Sequence, residues 1–156
     1  MKKVNVFLTI VLVLMLAFAA YFMIGGTLKA QTSAATAPAM DHLDACASIQ
    51  SIIASGTAPQ QFAALPATPE GCTLADVTIT LTNPGMFAAE WIDLTVDPAE
   101  GDIAVYSTSG ETTSLAPRSA GQVNLKLLTA APEGTVRTVR ISYYVFGMMR
   151  EIKVTV

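Results

Sequence analysis

Residues 73–82 read TLADVTITLT, and their alternation decides the fold class. Val77, Ile79 and Leu81 fall on one parity and Thr78, Thr80 and Thr82 on the other. A period of two sends the apolar set to one side of the backbone and the threonines to the other, as in a strand buried on one face. Asn83, Pro84 and Gly85 follow directly, and these residue types favour a turn. Further along, EWIDLTV at 90–96 repeats the pattern, with Ile92, Leu94 and Val96 on one face and Trp91, Asp93 and Thr95 on the other. DPAEGD at 97–102 predicts the next turn, 103–106 a short strand, and STSGE at 107–111 another turn.

The rest of the chain keeps this rhythm. In SLAPRSAGQVNLKLL (114–128), Pro117 and Gly121 mark a corner, after which Val123, Leu125 and Leu127 alternate with Gln122, Asn124 and Lys126. APEG at 131–134 is a turn. It leads into TVRTVRISYYVF, where Val139, Ile141, Tyr143 and Val145 face one way and Thr138, Arg140, Ser142 and Tyr144 the other. Gly147, Met148 and Met149 then reverse the chain into EIKVTV. Six or seven short strands with turns at these intervals predict an all-β domain, an Ig-like antiparallel β-sandwich over residues 73–156.

Two motifs in this domain carry a family resemblance. VTITLTNPG ends a strand in a turn of the T-N-x-G kind, and LAPRSAGQVNLKL places a leucine-any-proline corner before a strand of alternating Val and Leu. In both, residues 73–156 resemble the bacterial and archaeal Ig-like modules of the CARDB and alpha-galactosidase-associated type. Leu115 and Pro117 fit the corner, whereas Arg118 stands where those modules usually have glycine and Gly121 comes later. The resemblance implies a sandwich and no catalytic residue, since such modules occur in adhesins, envelope enzymes and transport proteins alike.

Upstream of the strands the composition changes twice. Residues 30–40 (AQTSAATAPAM) are small and polar, which predicts a flexible linker lifting the domain off whatever holds its N-terminus. Residues 41–72 are expected to form a short helix and a proline-rich connector. Leu43, Cys46 or Ala47, Ile49, Ile52 and Ile53 recur at helical spacing, Asp41 and Asp44 suit the first turn, and Gly56 suits the stop.

Residues 1–29 predict a membrane anchor. Positions 4–24 are apolar except for Asn5 and Thr9, and a run of about 20 such residues matches the ~30 Å hydrocarbon core of a bilayer. Lys2 and Lys3 precede the run, so the expected topology is N-terminus cytoplasmic and domain extracytoplasmic, at the cell membrane, with Tyr21 and Phe22 at the outer interface. The competing reading is a cleaved signal, for which Ala17-Phe18-Ala19 or Leu28-Lys29-Ala30 would be the site. Both readings carry the domain out of the cytoplasm. An even cysteine count in an oxidising compartment predicts a Cys46–Cys72 disulfide, with two buried free thiols as the alternative.

Composition limits the chemistry. The hydrophobic fraction is 52% and the charged fraction 13%, and the net charge is -3, which argues against a nucleic-acid partner. His42 is the only histidine and lies outside the strands, so a nucleophile-histidine arrangement has little to draw on, and an enzyme is not expected. His42, Cys46 and Met40 make a faint soft-metal set, and Asp97, Glu100 and Asp102 a faint calcium set. Met86, Met148 and Met149 read as core or gap-filling residues. No cofactor or metal site is predicted.

Lys126, Arg137, Arg140, Arg150 and Lys153 fall on the last three predicted strands and could form one basic face. With Trp91 and Tyr144, the residues Lys126, Arg140 and Lys153 form the expected contact surface. The sequence therefore reads as a membrane-anchored Ig-like domain of the cell envelope that binds or scaffolds a protein partner. The alternatives are a surface-filament subunit and a copper- or calcium-handling periplasmic protein.

Overall fold

The structure, a computed structural model, describes residues 2–25, 27–110 and 113–156. It begins with helix α1 (Lys2–Gly25), whose stretch Val4–Tyr21 is long and apolar enough to cross a membrane and is nowhere buried against the rest of the chain. The hydroxyl of Thr9 donates to the Asn5 carbonyl one turn back at 2.9 Å, so that polar group is satisfied within the helix.

Two antiparallel sheets follow. Strand β1 (Lys29–Pro38) enters the first sheet, and a 3-10 turn (Ala39–His42) leads into helix α2 (Leu43–Ala54). Then come β2 (Gln60–Gln61), β3 (Thr73–Thr82), β4 (Ala89–Asp97), β5 (Asp102–Gly110), β6 (Ser114–Leu115), β7 (Ala120–Thr129), β8 (Thr138–Val145) and β9 (Met148–Thr155). The five-stranded sheet has the order β1-β3-β7-β5-β2 and the four-stranded sheet β6-β4-β8-β9. This is the predicted antiparallel sandwich.

The alternations read from the sequence set the two inner faces. Val77, Ile79 and Leu81 of β3, Leu125 and Leu127 of β7, and Val139, Ile141, Tyr143 and Val145 of β8 are each at most 3% exposed and share one core. Each fully buried side chain of this size contributes about 1.5–3 kcal/mol through removal of apolar surface from water.

A second, smaller core lies where α2 covers the other face of the five-stranded sheet. Cys46, Ile49 and Ile53 of the helix meet Cys72, Ile103, Ala104 and Leu128. Helix α2 ends as Gly56 predicts: that glycine takes φ 69°, its N–H bonds Ile53 O, and Thr57 N–H bonds Ile52 O, closing a Schellman motif. Beyond it, Gln60 of β2 reaches across to the other sheet, its side-chain oxygen accepting the Val96 N–H at 2.8 Å.

Two boundaries differ from the sequence reading. The expected linker at 30–40 is instead strand β1, paired with β3 in register from Lys29↔Thr82 to Pro38↔Thr73. Composition misleads here because an edge strand gains its stability from backbone pairing and needs no large side chains, and the proline sits at its end, where edge strands tolerate it. The domain therefore starts at Leu28–Lys29 and includes α2 and β2. Likewise residues 107–110, expected as a turn, continue β5 against β7, and residue 111 of that expected turn lies outside the described residues.

The registers also define which end of the sandwich lies toward α1. Lys29 pairs with Thr82 and Thr82 with Ala120, while β3 passes through residues 83–88 into Ala89. Ala89 pairs with Val145, and Val145 with Met148. These residues share one end, the proximal end, from which α1 departs.

Candidate interaction surfaces

The proximal end is built around Asn83, which is 1% exposed. Its amide donates to the carbonyls of Phe87, Leu115 and Ala116 at 2.8–3.2 Å, and its oxygen accepts the Gly85 N–H at 3.0 Å. The residue therefore does more than form a turn: it ties the β3–β4 loop to the strand β6 corner. Beside it, Phe146 and Gly147 join β8 to β9 with φ of 53° and 74°, the pattern of a type I′ hairpin turn. Trp91 also has positive φ, 53°, at a bulge where the β4–β8 register shifts between Glu90 and Asp93.

The bulge turns Trp91 outward, and it is 76% exposed. Tyr144 lies on the same outer face, opposite Glu90 on one side and Met149 on the other, and is 40% exposed. Arg140 and Lys153 are cross-strand partners farther along the face, and Arg140 Nη2 pairs with Asp97 at 2.7 Å. These four residues share the outer face of the four-stranded sheet.

Lys126 does not join them. It stands on β7 in the other sheet, opposite Asp76, whose carboxylate it meets at 3.4 Å. The basic stripe is further reduced because Arg137 turns inward. Its guanidinium clamps Asp102 with three bonds of 2.7–2.9 Å, and the two side chains are 11% and 0% exposed. Arg150 pairs with Tyr143 across β8 and is half-buried. The expected single basic face is thus replaced by one pair of cations on one sheet and one cation on the other.

The faint metal sets also separate. Asp102 is occupied by Arg137 and the Ala99 N–H, and Asp97 by Arg140. Burial alone would raise the Asp102 carboxyl, but the hydrogen bonds from Arg137 and Ala99 outweigh it and hold the group below the ordinary carboxylate value. His42 and Met40 point to solvent while Cys46 points inward. Among the described residues no three His, Cys, Asp or Glu side chains are gathered as a cation would require. Met86, Met148 and Met149, expected as core or gap-fillers, are exposed at the proximal end.

The expected disulfide is absent: Cys46 and Cys72 are free buried thiols lining one small cavity of the second core. Cys46 Sγ donates to Ala39 O at 3.3 Å, which aims that thiol at the backbone. Burial first, and the neighbouring Cys46 second, push the Cys72 thiol above its usual value.

The strand edges complete the picture. Arg137 and Val156 exchange both backbone hydrogen bonds. In an antiparallel ladder such closely bonded pairs alternate with non-bonded ones. Residues 148, 150, 152 and 154 of β9 therefore bond β8, and Met149, Glu151 and Lys153 direct their backbone groups away from the sheet. Near its end, β9 touches β1 through Thr32 Oγ1, which donates to Thr155 O at 3.2 Å. The sequence identified β9 as terminal, but which parity faces outward depends on the register.

No protein-family model matches the chain, and no curated protein matches it in sequence. Several solved structures align with the chain at low identity and with TM-scores below 0.5. The ApaA protein of Bordetella pertussis aligns with 84% of this chain and 91% of its own at 13% identity and a TM-score of 0.47. The archaellum periplasmic stator protein FlaG of Sulfolobus acidocaldarius aligns with 51% of this chain and 85% of its own, at 16% identity and a TM-score of 0.38. A β-sandwich protein of Clostridium difficile covers 61% of this chain and 72% of its own, at 13% identity and a TM-score of 0.27. These likenesses are of fold alone.

Proposed function

We propose that this is a single-pass envelope protein whose sandwich stands on the extracytoplasmic side and binds a protein partner by strand addition along β9. The observation that carries the reading is the outward-directed backbone of Met149, Glu151 and Lys153 at the open edge of the four-stranded sheet. An unpaired strand edge can be extended by a partner segment whose main chain supplies affinity and whose side chains supply specificity. Glu151 and Lys153 keep such an edge from pairing with unsuitable strands, because an apolar or mismatched segment would have to desolvate their charges.

The membrane part of the reading rests on α1 and on Lys2 and Lys3 before it, which the positive-inside tendency keeps in the cytoplasm. The Asn83–Gly85 turn and the Leu115 and Pro117 corner support assigning the sandwich to the CARDB-like kind, a class of modules that suits a binding or scaffolding role. The acidic net charge favours a protein partner over nucleic acid.

A photo-crosslinking residue placed at Glu151 in intact cells tests the edge. The account expects a discrete adduct that disappears when Lys153→Pro is added, because that change removes only an outward N–H. Ile152→Pro, which removes a bond to β8, is the folding control and should destabilise the domain. Adducts that persist unchanged with Lys153→Pro in a folded domain would show that binding does not use this edge.

A further inference from the structure

We infer that the proximal end of the sandwich rests in the headgroup layer of the bilayer that α1 spans, with Trp91, Phe146 and the adjoining methionines as its lipid contacts. The inference rests on the anchor reading proposed above and adds a second membrane site, in the domain itself.

Three observations carry it. The first is the length of chain available. Helix α1 ends at Gly25, and Leu28 is already 3% exposed, with its N–H donating to Tyr143 Oη at 3.0 Å. Three residues span at most about 10 Å when fully extended. The apolar run at 4–24 is long enough to fill the ~30 Å hydrocarbon core, and the headgroup region beyond it is about 5–8 Å deep. Leu28 can therefore lie at most a few ångströms beyond the headgroup layer, which keeps the proximal end of the domain at the lipid surface.

The second is what the proximal end presents. Met86, Trp91, Tyr144, Phe146, Met148 and Met149 are all between 40% and 76% exposed. They lie in the β3–β4 loop, at the start of β4 and around the β8–β9 turn, which the strand registers bring to the end where β1 begins. Phe87 backs them, its ring centroid 5.4 Å from that of Phe146. Lys29 and Arg118, both exposed, lie at the same end, where lipid phosphates would be met. Tryptophan, tyrosine and basic residues over an apolar base are the composition of the membrane interface.

The third is backbone conformation. Trp91 and Phe146 both occupy left-handed φ, at 53°, where glycine or asparagine would be less strained. Both are 76% exposed, and Phe146 reaches the core cluster through its ring contact with Phe87. Strain held at an exposed aromatic residue points to a use for that side chain outside the core.

Trp91 is the chain's single tryptophan, so its fluorescence reports on this end directly. The full chain would be reconstituted into phosphatidylcholine and phosphatidylglycerol vesicles carrying nitroxides either just below the headgroup or at the chain end. Shallow nitroxides are expected to remove most of the Trp91 emission, deep ones less, and aqueous acrylamide little. Phe146→Asn, which suits the turn, should keep the fold while weakening the quenching.

Alkaline carbonate extraction separates the two readings. If the chain stays in the vesicles but Trp91 remains open to acrylamide and untouched by lipid nitroxides, the headgroup contact is wrong and the anchor stands. Shielding from acrylamide without nitroxide quenching would mean that protein covers this end, which also overturns the inference. Release of the chain by carbonate would remove the anchor and the headgroup contact together.

Discussion

The hydroxyl of Tyr143 receives the Leu28 N–H inside the core, joining residues 115 positions apart where the chain leaving α1 enters the sandwich. Phenylalanine would fill the same space but leave that N–H buried without a partner. Tyr143→Phe should therefore cost about 1–3 kcal/mol, read as a lower denaturant midpoint at unchanged slope. An unchanged midpoint would mean that Leu28 is not held as described. Alternation alone placed Tyr143 on the inner face, but nothing local announced its partner.

The same is true of Asp102 and Arg137, which are 35 residues apart. Their spacing carries no signal, so sequence reading assigned one to an acidic turn and the other to a basic stripe. Because the folded Asp102 pKa is lowered, its stabilising contribution is complete above the unfolded value of about 3.9 and is lost as pH falls through the folded value. Stability should thus drop below pH ~4, and Asp102→Asn should flatten that part of the profile. Breaking so buried a pair should also cost about 3–5 kcal/mol at neutral pH, measured by urea unfolding. The cysteines offer a simpler check: both should resist thiol reagents in the folded protein and react after denaturation, since both are buried and the Cys72 pKa is raised.

At the scale of elements, strands with a two-residue alternation of large apolar side chains were legible, as were α2 and its glycine stop. Strand β1 was not, because its alanines, serine and threonines contribute backbone pairing and little apolar surface. Replacing residues 30–38 with a Gly/Ser segment of equal length discriminates directly between strand and spacer. A spacer could be exchanged without effect on the unfolding of the domain. A strand paired along its whole length with β3 cannot, and the account expects a large loss of stability together with exposure of Ile79 and Leu81.

Which of the candidate contact residues share a face was legible in part for a related reason. The outward positions of Trp91 and Tyr144 followed from the register implied by Ile92 and Val139, whereas the separation of Lys126 from Arg140 and Lys153 followed from sheet order, which alternation does not encode. The bulge at Trp91 had a local signal that was passed over, since Glu90–Asp93 runs polar, apolar, apolar, polar and breaks the two-residue alternation there.

For the molecule as a whole, the proposed anchor and the short passage from α1 to Leu28 together place the domain on the membrane surface, with β9 as its open edge, as one reading to be tested. That arrangement requires the sandwich to lie across the bilayer from Lys2 and Lys3. The most direct measurement is labelling of Glu151→Cys by a membrane-impermeant maleimide in intact cells or spheroplasts, with native Cys46 and Cys72 protected by burial. The account predicts modification before lysis; modification only after lysis would put the domain in the cytoplasm and contradict it.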